Sequence, residues 1–170
     1  MDIIEYQEEA KRTLNDLGSI RKNMRHMDVG VFTEFGEILD IFKRVFAYGA
    51  ELDEQHLKEE IGDVLWYIVN GFTISNVGTI PIPKPSRGGD RNYFINVMTP
   101  LDLHQGFLQN GFSFALSILS TMCNAFEFNI EEIMQMNIDK LKVRYPEKFD
   151  ADKAINRNTT EEYEVIYETE

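Results

Sequence analysis

Two acidic pairs, Glu34-x-x-Glu37 and Glu60-x-x-Asp63, carry the chemical signal of this chain. Residues three apart on a helix share one face, and both pairs fall inside apolar repeats of helical period. Four carboxylates converging from two neighbouring helices would make an all-oxygen site for a hard divalent cation, Mg2+ first and Mn2+ as a possible substitute. Such a site points to metal-assisted chemistry on phosphates. The plainer reading of a single Glu-x-x-Glu is a solvated helix face. It fits less well here, because both pairs hug an apolar stripe, where a carboxylate is partly desolvated and needs a partner. Lys43 and Arg44 lie on other faces of the same helix.

The elements that must position these acids are helical. Ile3, Tyr6, Ala10, Leu14 and Leu17 recur at spacings of three and four, which predicts a first helix over about 3–17, stopped by Gly18. Residues 18–30 read as a connection, with Asp28 as N-cap of a second helix over about 31–48 that Gly49 closes. Phe32, Phe35, Leu39, Phe42 and Phe46 form its apolar stripe. A third helix spans about 54–69, with the stripe Leu57, Ile61, Val64, Leu65 and Ile68. At 100° per residue the two acidic pairs have the same angular offset from their stripes, so they are expected to face each other across one helix pair. Tyr67 falls one turn on and is expected to line the same cleft.

Residues 78–99 break the pattern, with Pro81, Pro83 and Pro85 among glycines 78, 88 and 89. They read as a turn flanked by short extended pieces at 79–80 and 93–97. Helix returns at Thr99-Pro100 and resumes after Gly111. A last helix starts at the Asn129/Glu132 capping box and ends at Tyr145-Pro146. The fold class is all-α: a bundle of four to six helices over residues 1–150, with an inserted loop or small hairpin. A polar tail over 151–170, whose final ten residues hold five Glu, is expected to fray or to wait for a partner.

Bulk composition excludes several classes. A net charge of −12 repels nucleic acid and anionic membranes at long range, and Lys and Arg form no clustered block. No apolar run approaches membrane-spanning length, and the N-terminus has no basic segment followed by an apolar one. The expectation is a cytoplasmic protein. The single cysteine, Cys123, reads as a buried, inert thiol. His26, His56 and His104 show no metal-ligand spacing, which disfavours zinc and iron. P-loop and Rossmann signatures are missing. Asn137, Lys140 and Arg144 share one face of the last helix. They suit either a grip on phosphate oxygens or a solvated basic face near a helix C-terminus.

Taken together, Glu34-x-x-Glu37, a spacer of 22 residues and Glu60-x-x-Asp63 resemble the signature of the MazG-like all-α nucleoside triphosphate pyrophosphohydrolases. Tyr6-Gln7-Glu8-Glu9-Ala10 and the stretch Asn137-Ile138-Asp139-Lys140-Leu141-Lys142-Val143-Arg144-Tyr145-Pro146 add to the likeness, which covers about residues 3–70 and 112–157. The family includes dimeric dUTPases and dCTP pyrophosphatases. The resemblance implies a homodimer or homotetramer that binds Mg2+ and splits a nucleoside triphosphate into monophosphate and pyrophosphate. By motif, Glu34, Glu37, Glu60 and Asp63 become metal ligands, and Asn137, Lys140 and Arg144 substrate contacts. Glu37 is the choice for the group that takes the water's proton. Trp66, Tyr67 and Phe32 are candidates to stack on a base, with simple core as the plainer reading. Short members of the family carry little between the Glu-x-x-Asp helix and the last helix; here roughly 35–40 residues intervene. That insertion is expected to form a flap over the cleft, with Lys84, Arg87 and Arg91 reaching phosphates, or an oligomer contact. The rivals are a narrower dUTP or dCTP pyrophosphatase, hydrolysis of another phosphoanhydride such as an alarmone, and a non-catalytic helical regulatory oligomer.

Overall fold

The computed structural model describes residues 1–78, 80, 82–83, 90–156 and 159–167. Among them are helices and no strand: α1 (Ile3–Arg12), α2 (Ile20–Tyr48), α3 (Glu54–Ile74), α4 (Arg91–Asn96), α5 (Pro100–Phe126), α6 (Ile130–Arg144), α7 (Ala151–Ile155) and α8 (Thr159–Tyr167). These eight segments exceed the expected four to six because short helices form at α4, α7 and α8.

Asp2 caps α1 by accepting from the amides of Ile4 and Glu5 at 2.9 Å. The helix ends at Thr13 rather than Leu17. Downstream, the Asp16 carboxylate accepts from the Gly18 amide at 2.9 Å and from Asn23 Nδ2 at 3.0 Å. Such local side-chain bonds give the backbone an alternative to helix. Ser19, not Asp28, then caps the second helix, and residues 20–30 are its first three turns rather than a connection. Met24, Met27 and Val31 continue the apolar stripe upstream, the last two fully buried. Gly49, at φ 69°, closes α2, its amide bonding to the Val45 carbonyl and that of Ala50 to Arg44.

α2 and α3 form the most extensive helix pair, with Phe35, Ile38 and Phe42 on one side and Leu57, Ile61, Val64 and Leu65 on the other. α6 lies across α3 and α1, and α5 closes the far side, where the Phe42 and Phe126 rings stack at 5.8 Å. Gly111, at φ 55°, breaks α5 where the sequence interrupts the helix. Cys123 is buried there, and burial pushes its thiol up to about 12, which leaves it protonated and inert.

The inserted segment differs from expectation. Residues 91–96 are helical, capped by Asp90, not extended. Phe94 and Met98 face the core, and so does Ile80; the Ser120 hydroxyl donates to the Pro83 carbonyl at 2.7 Å. The tail also differs. Residues 159–167 form a helix packed on α6 and α3, with Glu162 and Ile166, one turn apart, both buried. Among the described residues no helix is long and apolar enough to cross a membrane.

Candidate metal and phosphate site

The face shared by α2 and α3 brings three acids together. Carboxylate oxygens of Glu34, Glu60 and Asp63 all lie within 4.8 Å of one another. The pairing of the two apolar stripes sets this geometry, since each acid sits on the edge of its stripe. Burial raises the pKa of Glu34 and pushes that of Glu60 up to about 8; the neighbouring Asp63 charge adds to both. Like charges held this close, in partial burial, are what a divalent cation would relieve, and an all-oxygen donor set suits Mg2+. Glu37 is exposed on the next turn of α2 and outside the three-acid group, although its charge also raises Glu34.

Asp63 is the best-anchored acid. It accepts from Asn137 Nδ2 at 2.8 Å, and Lys140 Nζ sits 2.6 Å from each of its oxygens. Lys140 is 1% exposed and also reaches Glu59 at 3.3 Å. The fully buried Tyr6 hydroxyl donates to Asn137 Oδ1 at 2.8 Å, which turns the amide so that its nitrogen faces Asp63. Gly62 makes room for this: a Cβ there would stand 3.0 Å from that of Asn137. Asn137 and Lys140 thus reach the site as supports of a carboxylate. A carboxylate has about four acceptor positions, so Asp63 can serve Lys140, Asn137 and a cation together. Arg144, on the same face of α6, is held by the Glu162 carboxylate through its Nε at 2.7 Å and its terminal nitrogen.

A cavity of about 900 Å3 opens beside Glu34 and Asp63, a volume that suits a nucleotide-sized ligand. Trp66 and Tyr67, ring centroids 4.9 Å apart and perpendicular, line it together with His26. Trp66 Nε1 donates to the Thr13 hydroxyl at 2.9 Å, and the Tyr67 ring lies over Gly30. Phe32 instead packs edge-on against Phe107 at 5.1 Å and does not line the cavity. Arg91 pairs with Glu54 and covers the Phe126 ring; among the described residues of the insertion none lines the cavity, and Lys84 and Arg87 lie outside the described residues.

Sequence reasoning missed Tyr6 as the orienter of Asn137, Glu59 as the second partner of Lys140, and the first turns of α2 as a cavity wall. Lys22, Arg25, His26 and Val29 have helical spacing, which is the signal that could have found the last. No protein-family model, curated protein or solved structure matches this chain.

Proposed function

We propose that the chain is a MazG-like nucleoside triphosphate pyrophosphohydrolase, which cleaves its substrate, a deoxynucleotide in our reading, to monophosphate and pyrophosphate. The observation that carries this reading is the Glu34–Glu60–Asp63 group, its oxygens within 4.8 Å of one another, with Glu34 and Asp63 on the wall of a nucleotide-sized cavity. Bound to these carboxylates, Mg2+ would neutralise charge developing on the phosphate oxygens and sharpen a water molecule as nucleophile.

The chain's own residues supply the rest. Lys140 and Asn137 fix Asp63 in one orientation, which pre-organises the site and keeps its cost out of the reaction step. Glu37, on the exposed side of Glu34, takes the proton of the attacking water in this scheme. Trp66 and Tyr67 offer flat apolar surface for the nucleoside. Attack at the α-phosphorus breaks the bond to the bridging oxygen, and pyrophosphate leaves. The test is a panel of NTPs and dNTPs with Mg2+, scored for monophosphate plus pyrophosphate. Turnover of at least one nucleotide to those two products supports the reading, and its restriction to dUTP or dCTP would narrow it. Orthophosphate as the only product, or no turnover of any nucleotide, overturns it.

A further inference from the structure

The α2 wall of the cavity changes sign along its length. Lys22, Arg25, His26 and Glu34 all line it, from the first turns of the helix down to the acid group. At the helical rise, Arg25 stands about 14 Å and Lys22 about 18 Å from Glu34 along the axis. Neither cation makes an ion pair among the described residues. The other two cations near the acids are engaged: Lys140 by Asp63 and Glu59, Arg144 by Glu162.

The position of Lys22, third residue of α2, also costs stability. A helix N-terminus favours acids and disfavours cations. The first turn of α2 carries no acid, in a chain with 29 acidic and 17 basic residues. Two cations without ion pairs on a cavity wall, one of them set against the helix dipole, suit an anionic ligand better than they suit the fold. Leu141, Tyr145 and Phe149 add apolar surface to the lining, beside Arg144, which Glu162 already holds.

We propose that Lys22 and Arg25 bind the terminal phosphates of a polyphosphorylated ligand. The ligand's phosphate tail then runs from the acid group along α2, with its nucleoside on Trp66 and Tyr67. This rests on the pyrophosphohydrolase reading for which phosphate is attacked, but the anion site itself does not. It also moves the phosphate grip away from the Asn137–Lys140–Arg144 face.

Inorganic tripolyphosphate is the direct probe, titrated calorimetrically into the full chain at low salt beside a nucleoside monophosphate and its triphosphate. Replacing Lys22→Gln and Arg25→Gln together should weaken tripolyphosphate and triphosphate binding about 100-fold, about tenfold per cation. Monophosphate binding should stay within about twofold. Tm should hold or rise, since the Lys22 charge that opposes the helix dipole is gone. Arg25→Lys should restore part of the affinity. Tripolyphosphate binding that is absent in the parent, or equal in parent and double variant, overturns the proposal, as does an equal loss for monophosphate and triphosphate. Failure of the hydrolase reading would look different: no nucleotide turned over by the parent, with the tripolyphosphate difference intact.

Discussion

Lys140 Nζ lies 2.6 Å from both oxygens of the Asp63 carboxylate, in a side chain that is 1% exposed. A residue whose spacing suggests a grip on substrate is bound instead to an acid of the candidate site. Lys140→Met should therefore act on the fold first, because it strands two carboxylates without their counter-ion. The expected loss is about 3–5 kcal/mol in urea unfolding. Unchanged stability with a raised KM would return Lys140 to the role of substrate contact.

Tyr6 acts one layer behind. Its hydroxyl donates to Asn137 at 2.8 Å and contacts the Gly62 carbonyl at 3.3 Å, with no solvent exposure. Tyr6→Phe leaves the Asn137 oxygen buried and unpaired, at a cost of about 1–3 kcal/mol. With the amide no longer fixed, kcat should fall while KM changes little. A variant as active and as stable as the parent would show that the amide needs no such support.

Gly30 sets the position of Tyr67. A Cβ at residue 30 would stand 2.1 Å from the Tyr67 ring, so Gly30→Ala forces the ring to move. The gain in helix propensity, about 0.5–1 kcal/mol, offsets part of that clash. The displaced ring enters the cavity, so KM should rise several-fold. Trp66 is the single tryptophan, 4.9 Å from Tyr67, and its fluorescence should report the displacement. An unchanged emission spectrum and KM would contradict it.

Stability of the metal-free protein should fall as pH rises through neutrality. Burial, then the Asp63 and Glu59 charges, push Glu60 up to about 8, and Glu34 moves the same way. For a raised acid the folded state holds more protons, so its contribution is full below the unfolded value of about 4.5 and is lost through about 8. Asp16, Asp40 and Asp102 are lowered, and their contribution is lost only as pH falls below the ordinary carboxylate range. His26, lowered by burial, works the other way, but only up to its ordinary value of about 6.5. Tm should thus decline from there toward pH 8; Glu60→Gln should flatten the decline, and Mg2+ should raise Tm most at the alkaline end. A Tm that rises between about pH 6.5 and 8 without metal would contradict this.

The helical framework was legible because apolar period and capping residues act locally: Gly49, the Thr99-Pro100 start, Gly111 and the Asn129 cap all stand where the pattern puts them. The start of α2 was hidden because Arg21, Lys22 and Arg25 are poor residues for a helix N-terminus, although Met24 and Met27 carry the stripe. Residues 93–97 resemble a strand in their aromatic and branched composition, yet Asp90 caps a helix there and Phe94 enters the core. The convergence of Glu34, Glu60 and Asp63 followed from their angular offsets alone. What Lys140 and Arg144 pair with did not, since Glu59 and Glu162 meet them only through the packing of α3 and α8 on α6.

Turnover in 18O-labelled water with Mg2+ locates the attack proposed at the α-phosphorus beside the Glu34–Glu60–Asp63 group. One heavy oxygen should enter the nucleoside monophosphate, pyrophosphate should stay unlabelled, and Glu60→Gln should turn nothing over. Label in pyrophosphate or orthophosphate, or full activity of that variant, would contradict it.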